Sequence, residues 1–218
     1  MFIGHHAVAF TAKRIGPAIS LGTLLTAVQF MDLLWPVFLL ADIEHFQIVP
    51  GYTVVSPLNL YDYPISHSLA GALIWSALFG GVYFWVRRHA RNAVILAVAV
   101  FSHWILDFIT HGPDMPLLFS GSAHVGLGLW NSLAGTLAVE IGLFAGGVIV
   151  YTRSTVAKDR IGTYGWWGFV TFLFTMYIAS IFGPPPPNVG VVAVGGNTGW
   201  LLVLWAYWVD RHRTRRIP

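Results

Sequence analysis

Three residues on one stretch of apolar sequence have types and spacing that could do chemistry. They are His103, Asp107 and His111, within Phe101-Ser-His-Trp-Ile-Leu-Asp-Phe-Ile-Thr-His111. Their i, i+4, i+8 spacing stacks them along one stripe of a helix. Two imidazoles and a carboxylate facing one way are the ligand types that hold zinc or another divalent cation. The surrounding run, Asn92 to Thr110, reads as a membrane span. Ionisable groups at that depth are costly and mark function by default.

Composition sets the class. Of 218 residues, 56% are hydrophobic and 10% charged, and the mean hydropathy is +0.68. Soluble domains carry about 25% charged residues, so a polytopic membrane protein is expected. Cysteine is absent, which excludes disulfides, thiolate zinc, iron–sulfur clusters and a cysteine nucleophile. The start, Met1-Phe-Ile-Gly-His-His6, has no basic segment ahead of its apolar stretch. A cleaved signal peptide is not expected, and the first helix would serve as its own targeting signal.

A span needs about 20 apolar residues. Six runs qualify: Ile15–Ala41, Ile65–Val86, Asn92–Thr110, Gly128–Thr152, Tyr164–Phe182 and Val189–Val209. The expected fold is all-α, one integral membrane domain over residues 1–218. A metal-site core would occupy about 4–152, with additional helices at 164–209. The run Pro184 to Pro187 forms a stiff extended loop, and Gly195-Gly196-Asn197 could interrupt the last span.

The 12 Lys and Arg fall in four places: Lys13/Arg14, Arg87/Arg88/Arg91, Arg153/Lys158/Arg160 and Arg211/Arg213/Arg215/Arg216. Six spans put all four on one side. The positive-inside rule makes that side cytoplasmic, with both termini, in the cell's inner membrane. The basic tail reads as a topology signal that touches anionic lipid, and no nucleic-acid partner is expected.

Acids and histidines collect at the other side. Asp42, Glu44, His45, Asp62, Asp114 and His124 read as solvated loop residues. Asp32, His103, Asp107 and Glu140 lie within spans, and no Lys or Arg accompanies them. A membrane carboxylate without a basic partner must be protonated, reach water or bind a cation. Depth was counted at about 1.5 Å per residue from the flanking basic residue of each span. On that count Asp32, His67, His103, Asp107 and Glu140 all fall in the outer half of a hydrocarbon layer about 30 Å thick. One shared site is the simplest account.

The same positions carry a resemblance. Gly4-His5, Met31-Asp32, Ser66-His67-Ser68 and His103-Trp-Ile-Leu-Asp107 followed by Thr110 are similar to the motifs of the inner-membrane metal-dependent hydrolases sometimes called LexA-binding. The likeness covers roughly residues 4 to 118. That family's Pro-Asp-x-Asp motif stands here as Phe30-Met-Asp32-Leu-Leu, and its His-Arg-Gly segment as Tyr61-Asp-Tyr-Pro64. A phosphate-handling arginine has no counterpart. The resemblance implies a metal-dependent hydrolase and brings His5 into the ligand set.

The expectation is a divalent metal, zinc first, held by Asp32, His67, His103 and Asp107, with His111 and His5 as further ligands. Such an ion activates water and polarises an ester or phosphoester oxygen. Glu140 would take the proton, and Ser68 would orient a ligand or the substrate, a membrane lipid or other amphiphile reached from the outer leaflet. Other roles are open for several of these residues. His111 could cap its helix, Glu140 could be an interhelical hydrogen-bonder, and His5 reaches the site only if residues 2–13 dip into the bundle. Two other functions use the same residues: a cation or proton transporter, and a haem-binding electron carrier through His67 and His103.

Overall fold

In lipid an unpaired backbone amide costs several kcal/mol, so an apolar chain must satisfy its amides within helices. The computed structural model describes residues 1–216 and is built on that constraint. Helix α1 covers Ile3–Ile15, α2 Leu21–Val28, α3 Phe30–Leu40, α4 Pro64–His67 and α5 Leu69–Arg87. Then come α6 at Ala90–Thr110, α7 at Leu133–Ser154, α8 at Arg160–Phe182, α9 at Val189–Gly196 and α10 at Gly199–Arg211. Strands are confined to loops. Antiparallel pairs join β1 (His45–Ile48) to β2 (Leu58–Asp62), β3 (Met115–Pro116) to β4 (His124–Val125), and β5 (Thr155–Ala157) to β6 (Arg213–Arg215).

Five helical segments are long and apolar enough to cross a membrane, and a sixth arises if α2 and α3 form one span bent by 58°. This is the architecture of a multi-pass membrane protein. The six runs expected from hydropathy correspond to α2–α3, α4–α5, α6, α7, α8 and α9–α10, but three of them are interrupted. Gln29 separates α2 from α3, and Ser68 separates α4 from α5. Asn197 and Thr198 separate α9 from α10, next to the Gly195-Gly196 pair.

Helix α1 lies inside the bundle. It packs on α7, α2 and α6 and touches α8, burying Ile3, His5, His6 and Phe10. Of the two placements open to residues 2–13, the structure takes the one that brings His5 to the interior, and it puts Met1 beside Asp107, at the end of α1 opposite Lys13 and Arg14 and not on the side of the basic residues as expected. Lys13, at the far end of α1, donates to the Ile19 carbonyl at 2.8 Å and to Asp210 Oδ2 at 2.9 Å. Tyr151 adds a bond to Asp210 Oδ1 at 3.3 Å. The larger core surrounds this half, around Phe10, Leu24, Tyr151, Trp166 and Phe169. A smaller one joins Met31, Phe46, Leu60, Tyr63, Ala72, Trp104 and Met115.

Close helix contact depends on glycine at selected places. A Cβ on Gly147 would lie 2.7 Å from Ala7 Cα and 2.8 Å from its carbonyl, so α7 and α1 meet backbone to backbone there. Gly142 and Gly146, on the same helix, face open space. Gly147→Ala is therefore expected to destabilise the bundle by about 1–3 kcal/mol through overpacking. Gly146→Ala should stay within about 1 kcal/mol, on the stabilising side. Denaturant unfolding of the two variants in detergent measures the contrast.

The β1–β2 hairpin carries a titratable bond outside the spans. His45 Nδ1 lies 2.7 Å from Asp62 Oδ2, and its Nε2 lies 3.2 Å from Asp42 Oδ1. The hydrogen bond with Asp62, with Asp42 adding to it, holds the imidazole above its ordinary value. Its contribution to hairpin pairing is thus present below about pH 6.5 and fades as pH rises through the raised value. NMR titration should place the His45 midpoint above about 6.5, and Asp62→Asn should bring it back down.

Candidate metal centre

Helix ends and breaks supply most of the site. Asp32 lies in the first turn of α3, where the helix dipole favours a carboxylate. His67 closes α4 just before the break at Ser68, and His111 is the C-cap of α6. His5 comes from the buried first half of α1. His103 and Asp107 sit in the C-terminal part of the long continuous helix α6.

All of these converge on Asp107. His103 Nε2 lies 3.0 Å from its Oδ2, and His67 Nε2 lies 3.8 Å from the same oxygen. His5 Nε2 lies 3.0 Å from its Oδ1, and His111 Nε2 lies 4.0 Å away. Asp32 Oδ1 joins from the other side, 3.4 Å from His67 Nε2 and 3.5 Å from His103 Nε2. The Met1 amine also contacts Asp107 Oδ1, at 2.5 Å. Two donor triads emerge, His5–His103–Asp107 and Asp32–His67–His103, each with ligand atoms within 4.8 Å of one another, so that each could hold a metal ion. His5 and His103 stack with ring centroids 3.7 Å apart.

Hydrogen bonds on the outer side of the rings set which ring nitrogen faces inward. His103 Nδ1 donates to the Val28 carbonyl at 2.7 Å, at the C-terminal end of α2, where carbonyls lack intrahelical partners. Ser66 Oγ donates to Glu44 Oε2 at 2.6 Å, and its single proton is then spent. It can only accept from His67 Nδ1, 2.7 Å away. His111 Nδ1 faces Asp114 Oδ1 at 3.2 Å, and Tyr63 OH donates to the same oxygen at 3.2 Å. In all three rings Nδ1 is engaged, and Nε2 is turned toward Asp107. Such orientation by an outer acceptor typifies metal-ligating histidines.

A lone pair facing a carboxylate is repulsive unless a cation lies between them. His103 Nε2 is fully buried and has no hydrogen-bond partner, although Asp107 Oδ2 lies 3.0 Å away. This orphaned nitrogen, together with a donor set of four imidazoles and two carboxylates, fits a divalent metal.

The other expected residues have plain positions. Glu140 is buried on α7, and its Oε2 accepts the Phe2 and Gly4 amides at 2.9 and 3.2 Å. The Ser68 hydroxyl caps α5 by accepting the Gly71 amide at 2.9 Å, while the neighbouring Ser66 makes the contact with His67. Two acids read as solvated are not. Glu44 is buried and accepts from the Ile65 and Ser66 amides, each at 2.7 Å. Asp114 holds His111 and Tyr63. The β1–β2 hairpin folds Glu44 over the start of α4, a tertiary effect with no local signal. Ser66 was within reach, since it adjoins a candidate ligand and precedes a helix break. Asp42, His45 and Asp62 form the hairpin cluster, and His124 is exposed.

No family model, curated protein or solved structure matches the chain.

Glu44 is both a helix support and the outer member of a Glu–Ser–His relay. Glu44→Ala strands the Ile65 and Ser66 amides, a loss of about 1–3 kcal/mol. It should also weaken metal retention by about 10- to 100-fold, the usual effect of removing an outer-shell partner. Melting curves and metal titration of the detergent-purified variant check the two effects.

Proposed function

We propose that the chain is a membrane-embedded, metal-dependent hydrolase acting on a lipid-like ester or phosphoester near the outer leaflet of the inner membrane. The orphaned His103 Nε2, facing Asp107 and Asp32 at full burial, carries this reading. The motif resemblance to the LexA-binding inner-membrane hydrolases points the same way. Zinc suits the mixed imidazole and carboxylate donors, supplied by Asp32, His67, His103 and Asp107, with His5 and His111 at the second oxygen of Asp107. When bound, such a metal lowers the pKa of water and polarises an ester oxygen.

The remaining work falls to the chain. Glu140 lines the same cavity as Asp32, His67, Asp107 and His111. The bonds from Phe2 and Gly4 both fall on Oε2, which orients the carboxylate and leaves Oε1 to take a proton. The hairpin and the surrounding aromatic side chains, Tyr63 and Trp130 among them, restrict water access on the loop side. By the positive-inside rule the basic ends of the helices face the cytoplasm and anionic lipid, which leaves the donors toward the outer leaflet.

Cation transport is the second reading. The interruptions in α2–α3, α4–α5 and α9–α10 favour it, because broken helices line ion sites in many transporters.

The deciding measurement is elemental analysis of detergent-purified protein, with His103→Ala and Asp107→Ala beside wild type. Stoichiometric zinc that is lost in both variants is the expected result. Glu140→Gln should keep the metal and lose about 100- to 10,000-fold in ester turnover. A wild type that neither contains nor takes up metal overturns the hydrolase. Metal-dependent flux across vesicles without ester turnover establishes the transporter in its place.

A further inference from the structure

A cavity of about 980 Å³ opens from the donor cluster. One end is walled by Asp32, His67, Asp107, His111 and Glu140, and the far end is apolar, along Phe172, Met176, Ile181, Val191 and Leu202. Its size is at the upper end for a small-molecule site. The apolar part lies between α8 and the α9–α10 pair. Helix α9 packs on α3 and β1, and α8 packs on α10 and α1. The two neighbours α8 and α9, joined by the stiff Pro184–Pro187 loop, therefore leave a seam between them, lined by apolar side chains.

The polar end has a definite character. Three cavity-lining side chains carry buried polar atoms with no partner among the described residues: Gln29 Oε1, Trp35 Nε1 and Tyr177 OH. Each is an uncharged hydrogen-bonding group, and buried groups of this kind normally have partners. Among the described residues, no lining side chain is a lysine or arginine, whereas Asp32, Asp107 and Glu140 are acids. One divalent ion leaves such a site at or below neutrality. A phosphate would meet carboxylates, and the one ammonium that lines the cavity among the described residues, that of Met1, is already paired with Asp107, so no free guanidinium or ammonium of the kind that normally binds phosphate is left for it.

We infer that the cavity takes a long-chain lipid with an uncharged, hydroxyl-bearing head, such as a monoacylglycerol, with its tail along the α8–α9 seam. The inference rests on the hydrolase reading and narrows it to carboxylic esters. Gln29, Trp35 and Tyr177 hydrogen-bond the head, and the ester lies at the donor cluster. In the reaction the oxygen of water joins the acyl carbon and the bond to the glycerol oxygen breaks. Glu140 receives one proton of the water and passes it to the leaving alcohol. The products are a fatty acid and glycerol.

Gly195 lines the apolar end, and a Cβ there meets nothing within 4 Å. A larger side chain can thus fill the tail path without disturbing the packing of α9. Purified protein in amphipol is incubated with equal amounts of 1-O-hexadecylglycerol and 1-O-octylglycerol, which have no ester to cleave, and hexadecyl phosphate, whose cleavage to hexadecanol is followed in the same samples and counted with it. Lipid retained after gel filtration is quantified by mass spectrometry, and zinc is measured on the same sample. Hexadecylglycerol is expected near one per chain. Octylglycerol should fall about tenfold or more below it, since each methylene contributes about fourfold. Hexadecyl phosphate should also fall about tenfold below, the cost of an unpaired charge in an acidic site. Gly195→Leu should retain about a third or less of the hexadecylglycerol at unchanged zinc content. Equal or better retention of hexadecyl phosphate overturns the inference, as does equal retention by Gly195→Leu. A zinc-free wild type that still retains hexadecylglycerol selectively overturns the hydrolase and leaves the lipid site standing.

Discussion

Asp107 faces four imidazole nitrogens within 4.0 Å, at a depth where water does not screen them. Three of those rings are already committed through Nδ1, to Val28, Ser66 and Asp114. What they turn inward is Nε2, which in the neutral ring offers a lone pair to a cation. Lone pairs and carboxylates cannot crowd together in a low-dielectric interior without positive charge among them, because Coulomb energies there are many times those in water. The cluster thus calls for positive charge, part of which the Met1 amine supplies at Asp107 Oδ1, and the rest of the molecule is arranged around meeting that demand in one place.

The broken helices and the donor cluster are two sides of one arrangement. An uninterrupted span satisfies its own amides and offers only side chains that share a stripe. A break exposes carbonyls and amides, which in lipid must find partners at once. Here the partners belong to the site's own framework. The Val28 carbonyl at the end of α2 is taken by His103, and the amides at the start of α4 are taken by Glu44. Each bond that repairs a helix end also orients a ligand directly or through Ser66. Loss of one member would therefore be felt both as instability and as a misplaced nitrogen.

What could be seen in the sequence follows from this. The His103–Asp107–His111 ladder was legible because α6 is continuous, so periodicity maps directly onto space. Asp32 and His67 were legible by depth, because even a broken span must cross the same thickness. His5 was reachable through the motif resemblance alone, since nothing in its surroundings says whether a 13-residue helix lies on the membrane or enters the bundle. Glu44 and Asp114 were misplaced among solvated loop residues. Their burial comes from a hairpin and a loop folded over the helix ends, and hydropathy carries no trace of that. Ser68 and Ser66 show the finer limit: adjacent hydroxyls flank His67, and backbone direction at the break decides which one caps the helix and which one touches the ring.

Helix α1 ties the two ends of the molecule together. At one end, Lys13 is buried against Asp210 and the Ile19 carbonyl, with Tyr151 completing the acid's shell. A buried ion pair of this kind contributes little net stability, yet breaking it leaves an uncompensated charge. Its value is in register: α1 cannot slide by a turn without stranding the ammonium. At the other end, the amides of Phe2 and Gly4 hold Glu140, and His5 meets Asp107. Between them, Gly147 lets α7 approach α1 at backbone distance, so the helix is fixed laterally as well. The position of the proposed proton acceptor and of one ligand is thus set by a lock at the opposite, basic end of the bundle. Through Lys13, a basic residue at one end of α1 governs the geometry of the donor cluster at the other.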